Sequence, residues 1–131
     1  MKYAQLHLRH LFWLVLLAAL PLFSACDGVP PEPKPGAPPL AFHYRKAQIP
    51  GKGLVAGIEN TSPGETLSDF VIKISSKEDQ RSYRIGKTLR PEDSMTVGWV
   101  ELDGWKLKED DQLSISCEQY ADAATSTVTT P

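Results

Sequence analysis

The chain has 131 residues, and its 14 Lys and Arg against 16 Asp and Glu give a formal net charge of −2. That length allows one main domain, and a mildly acidic balance without a basic patch excludes nucleic acid as an expected partner. A Gly-rich phosphate loop and a His/Cys cluster with zinc spacing are both missing from the sequence.

The N-terminus has the three parts of an export signal. Residues 1–10 carry Lys2 and Arg9 and no acid, and residues 11–20, LFWLVLLAAL, are uninterrupted apolar. Pro21 then breaks the helix, and the small residues Ser24 and Ala25 precede Cys26. An apolar run of about 10 residues is too short for a stable transmembrane helix, which needs about 20. The run Leu22-Phe23-Ser24-Ala25-Cys26 resembles the lipobox of bacterial lipoproteins. In that family the cysteine is lipidated and becomes the new N-terminus, so the resemblance implies a helical signal peptide over residues 1–25 and a lipidated Cys26. Phe23 stands where the pattern usually has Leu, with Leu22 one place further out. Mature lipoproteins carry three acyl chains, and two or more hold a protein firmly on a membrane. The expected location is therefore the bacterial cell envelope, anchored through the N-terminal lipid, on the periplasmic or outer face. Asp27 follows the cysteine and resembles the signal that keeps enteric lipoproteins in the inner membrane. Cleavage before Cys26 removes Lys2, Arg9 and no acid, which moves the formal net charge from −2 to −4.

Residues 26–39 read as the anchor and a tether. Six of the eleven residues in VPPEPKPGAPP (29–39) are proline, which fixes φ and supplies no amide donor. A polyproline II spacer of about 34 Å is expected, at roughly 3.1 Å per residue.

Residues 40–120 show a period of two. Phe42 and Tyr44 form the first alternating run, then Leu54, Ala56 and Ile58, then Phe70, Ile72 and Ile74. Tyr83 and Ile85, then Met95, Val97 and Trp99, then Leu113, Ile115 and Cys117 complete the series. One-sided alternation predicts antiparallel strands with one wet face. Turn chemistry separates them at Pro50-Gly51, Asn60 to Gly64, Lys77 to Asp79, Pro91 to Asp93 and Asp103-Gly104. The predicted fold is all-β: a small antiparallel β-sandwich of about six to seven strands. The register places Trp99 inward with Met95 and Val97, and Cys117 as a buried, inert thiol in the last run. Residues 121–131, ADAATSTVTTP, lack apolar periodicity and read as a disordered tail.

The strand, the Asn60-Thr61-Ser62 turn, the next strand and then Leu89-Arg90-Pro91-Glu92-Asp93-Ser94 resemble small immunoglobulin-like modules of bacterial envelope proteins. The resemblance implies that Leu89 plugs the core edge while Pro91 fixes the corner. It speaks for the fold and not for an activity, because this fold hosts many.

After cleavage His43 is the one remaining histidine, and it falls on the polar face of the first strand, away from any serine and acid that would complete a triad. No enzyme activity and no cofactor are expected. The acids at Glu92-Asp93, at Glu101 and Asp103, and at Glu109-Asp110-Asp111 lack the alternating spacing of a calcium loop and read as solvated turns, so no metal is assigned. Aromatic residues dominate binding hot spots, and Trp105 and Tyr120 are the candidate binding surface. Two functions follow. One is a non-catalytic sandwich that binds another envelope protein. The other is a carbohydrate- or peptidoglycan-contacting domain that stacks sugar on Trp105 and Tyr120.

Overall fold

A computed structural model describes residues 28–131; residues 1–25, expected from the sequence to be a signal peptide, and Cys26 lie outside them. Gly28–Pro31 are exposed and belong to one contact unit, and residues 32–131 form another. The second unit is all-β. Its seven strands are β1 (Leu40–Lys46), β2 (Leu54–Asn60), β3 (Phe70–Ser75), β4 (Gln80–Ile85), β5 (Ser94–Val97), β6 (Gln112–Ser116) and β7 (Ala124–Thr127).

The strands make two antiparallel sheets, ordered β1-β2-β5 and β4-β3-β6-β7. In a constant-type immunoglobulin sandwich the fourth strand joins the first sheet. Here β4 pairs with β3 instead. Alternation sends one side of each sheet inward, because successive Cβ atoms point to opposite faces. Ala56, Ile58, Met95 and Val97 meet Phe70, Ile72, Ile74, Leu113 and Ile115 in one apolar core. Full burial of each large side chain contributes about 1.5–3 kcal/mol.

The register defines two ends. At the far end lie the β1–β2 turn beyond Lys46↔Leu54, the β3–β4 turn beyond Ser75↔Gln80, and the chain after Val97. A bridge between Leu54 and Leu107 ties β2 to the β5–β6 connection there. The near end holds residues 60–69, 86–93 and 117–123, joined by the bridges Leu67↔Leu89 and Lys34↔Tyr120. Gly53 makes the far end possible: its φ is +79°, and a Cβ there would stand 2.6 Å from the Leu107 carbonyl oxygen. An L side chain would meet both the left-handed backbone and that clash.

Leu89 is 1% exposed and plugs the near end, as the resemblance implied. Asn60, fully buried, fastens that corner. Its amide nitrogen donates to the Glu65 carbonyl at 2.7 Å and to the Leu89 carbonyl at 3.0 Å, and its side-chain oxygen accepts from the Ser62 amide at 3.0 Å.

Three expectations change. Residues 121–131 are not a disordered tail: β7 pairs with β6, and Val128 is fully buried, with its backbone bonded both ways to 110–111. This segment has few apolar residues because an edge strand needs only Ala124 and Val128 on its inner side. The tether is not free along its length either. Pro38 is buried, and the backbone of Lys34 bonds the carbonyl of Gln119 and the amide of Ala121. Finally, Trp99 is not core. β5 ends at Val97 and the chain turns at Gly98, so the inward register stops before it reaches Trp99.

Candidate interaction surfaces

At the near end the tether is held by a latch. Lys34 Nζ lies 2.6 Å from Glu65 Oε1, and the Tyr120 hydroxyl donates to Glu65 Oε2 at 2.7 Å. The Lys34 ammonium also sits 5.8 Å from the Tyr120 ring centre, within cation–π range. The Lys34 ammonium, with help from the Tyr120 hydroxyl, holds the Glu65 carboxyl below its ordinary value, and Glu65 raises Lys34 in return. Tyr120 is raised by its bond to the same carboxylate. Its hydroxyl is therefore engaged by Glu65, and Lys34 stands over its ring.

A folded Glu65 with a depressed pKa contributes to the latch above its usual value of 4.5 and loses that contribution as pH falls through the folded pKa. Lys34, raised above 10.5, contributes below that value and is lost as pH climbs through its folded pKa. The Ala121 and Asp122 amides, which donate to the Lys34 and Gly36 carbonyls, report the latch. Their exchange protection relative to Ile115 should fall as the pH drops below about 4.5, and a Glu65→Gln protein should show no such fall.

Trp105 lies at the far end, with the β3 span from Val71 to Ser75, roughly 13 Å at about 3.3 Å per step, between it and Tyr120. The structure therefore does not bring the two candidate residues onto one surface. Trp105 is half-buried against the core, where Leu102 and Leu107 are fully buried beside it. Its indole N–H donates to Asp111 Oδ2 at 3.3 Å, and the Arg81 guanidinium lies 5.4 Å from the ring centre. A polar hollow of about 320 Å³ opens there, lined by Glu78, Asp79, Arg81, Trp105 and Lys108 among others.

A second hollow of about 290 Å³ lies between the β1–β2 turn and the 98–101 segment. Ile49 is 58% exposed and Val100 71% exposed, and both line it with Val55 and Trp99. The Lys52 ammonium stands 3.7 Å from the centre of the Trp99 ring. Gly98 lets this segment close on β2, since a Cβ there would lie 2.5 Å from Val55 Cγ1. The Gly98 amide donates to Glu101 Oε2 at 2.9 Å, so that carboxylate is already engaged.

The acid groups act locally. Asp93 accepts from the Arg90 amide at 3.1 Å, and Asp111 from the Lys108 amide at 3.0 Å. Among the described residues no group of three or more His, Cys, Asp or Glu is placed to hold a metal ion. His43 lies exposed on β1, 3.6 Å from Glu59 Oε2. Cys117 is a free thiol, 5% exposed, and burial raises its pKa, so little reactive thiolate forms. Among the described residues no helix is long and apolar enough to cross a membrane.

Sequence reading missed Ile49, Lys52, Trp99 and Val100 as a group. Two signals pointed there: an isoleucine beside the Pro50-Gly51 turn, where core residues are not needed, and Gly98, which interrupts the β5 alternation. Compared with family models, curated proteins and solved structures, the chain matches none.

Proposed function

We propose that this protein is a lipid-anchored lipoprotein of the bacterial envelope, with a non-catalytic β-sandwich that binds another envelope protein. The observation that carries the reading is the polarity of the domain. The tether is latched at the near end, while Ile49 and Val100 are exposed at the far end. Three acyl chains would make release slow.

Replacing the anchor tests this. Cys26→Ser should move the protein from the membrane pellet to the soluble fraction, or leave it as an unprocessed precursor of slower mobility. Unchanged fractionation and mobility would overturn the anchor. A carbohydrate-contacting role through Trp105 is the weaker reading. The hollow beside it is polar and floored by an indole, but Arg81 covers the ring and Asp111 takes its N–H.

A further inference from the structure

Among the described residues the two sheets have four edge strands, β1 and β5 on one and β4 and β7 on the other. A bare edge presents unpaired N–H and C=O groups to any other strand, and charged side chains are the usual guard. β1 carries His43, Arg45 and Lys46, and β4 carries Arg81 and Arg84. β5 is uncharged, but it is closed in between the turn at Pro91-Glu92 and the turn after Gly98. β7 has neither defence. Residues 123–131 carry no Asp, Glu, Lys or Arg, and the ladder runs on past the strand, where the Val128 amide donates to the Asp111 carbonyl. Thr125, Thr127, Val128 and Thr129 are β-branched, which favours an extended chain.

The direction of the free groups follows from that ladder. Val128 turns both its amide and its carbonyl toward residues 110–111. Backbone groups alternate along a strand, so Ser126 and Ala124 also face β6, while Thr125 and Thr127 face outward with no backbone partner. Nearer the tether the same outer edge is in use. The Lys34 amide donates to the Gln119 carbonyl and its carbonyl accepts from the Ala121 amide, in phase with Thr125 and Thr127. The edge therefore takes a strand at the near end and is open beyond it. Its side chains sort in the same way: Ala124 and Val128 are buried, Ser126 is half-buried, and Thr125 and Thr127 are exposed. Beside Ser126, the Tyr44 hydroxyl of β1 is buried without a hydrogen-bond partner, which buried hydroxyls seldom are.

We infer that two copies of this protein pair through β7, edge to edge and antiparallel, about a twofold axis at Ser126. Thr125 then lies opposite Thr127 of the second copy and exchanges both backbone hydrogen bonds with it, and the axis repeats the pair. The two four-stranded sheets become one continuous sheet. On the inner side Ala124 meets Val128, and Ser126 meets its own copy at about 4.5–5.5 Å between Cβ atoms. A second hydroxyl thus reaches the seam where Tyr44 lacks a partner. A second copy suits this edge because the edge is complementary to itself. No charge opposes a like charge in this register, and threonine faces threonine on the outer side, a favourable cross-strand pair. The register also keeps the pairing within residues 123–129, clear of the tether bonds at Ala121 and Asp122. Pairing through β7 leaves the far end free and needs neither the anchor nor an envelope partner.

Sedimentation velocity on the full chain in non-ionic detergent tests the pairing, and a concentration-dependent dimer is expected. Thr125→Lys with Thr127→Lys sets like charges opposite one another across the axis. It should weaken the dimer by about tenfold or more, an effect that shrinks as salt rises. Thr125→Lys with Thr127→Glu sets opposite charges there and should restore the dimer. Both side chains are exposed, so these variants should melt close to the parent. Thr127→Pro removes an outward amide without touching the β6 ladder and should also weaken the dimer. Two acylated chains that merely share a micelle would respond to none of these changes, so the outcome does not hang on Cys26. No dimer up to about 1 mM chain would overturn the pairing and leave the edge to a strand of another protein. A dimer indifferent to the lysine pair, or a loss that the lysine–glutamate pair does not restore, would overturn it as well. Fibres in place of a closed dimer would overturn the twofold and make β7 an aggregation edge.

Discussion

Asn60→Asp should destabilise the folded domain by more than about 3 kcal/mol, because a buried carboxylate would face two carbonyl oxygens and gain no donor except the Ser62 amide. The native amide donates to the Glu65 and Leu89 carbonyls at 2.7 and 3.0 Å. Asn60→Ala is expected to be milder, at about 2 kcal/mol. Both carbonyls keep another donor, Ser62 Oγ for Glu65 and the Leu67 amide for Leu89, so the loss centres on the Ser62 amide and the vacated volume. A domain of about 100 residues loses roughly 4–8 °C in Tm per kcal/mol, which puts thermal melts well within reach of both variants. The aspartate variant should also recover stability on acidification, since a protonated carboxyl regains one donor and sheds the buried charge. If Asn60→Asp melted no lower than Asn60→Ala at neutral pH, the corner would not be held by those two carbonyls.

Leu102→Ala should cost about 3 kcal/mol, within the 2–5 kcal/mol range of buried leucine truncations, whereas Val100→Ser should stay within about 0.5 kcal/mol. The two residues lie two positions apart in the connection from β5 to β6. Leu102 is fully buried, and its amide donates to the Gly98 carbonyl at 3.0 Å, while Val100 is 71% exposed. Chemical denaturation of both variants tests the contrast. Equal losses would mean that Val100 packs inward and that the far-end surface does not exist; no loss for Leu102→Ala would mean that this connection is not part of the core.

Much of the architecture was legible because a strand with one wet face writes a period of two. Ile72 and Ile74 in β3, or Leu113 and Ile115 in β6, fall inward wherever the neighbouring strand comes from, and each reads as buried from its own alternation. Period alone failed where strands end. Trp99 continued the inward parity of Met95 and Val97, but parity holds only while the backbone stays extended, and Gly98 lets it turn. β7 failed for the opposite reason: an edge strand covered on one side needs few large residues, so ATST looks like a tail. Of the candidate surface, Trp105 and Tyr120 were found as aromatic residues, but their separation and their commitments to Asp111 and Glu65 are tertiary facts.

By itself the sequence determined most of the strand faces and the turns, because each is written in residue types a few positions apart. The tertiary structure alone decided which end of the sandwich receives the tether and which end exposes Ile49 and Val100. Those outcomes depend on contacts between residues far apart in the chain, such as Lys34 with Glu65 and Leu54 with Leu107. Local alternation places a side chain on a face, but only the register between strands places it at an end.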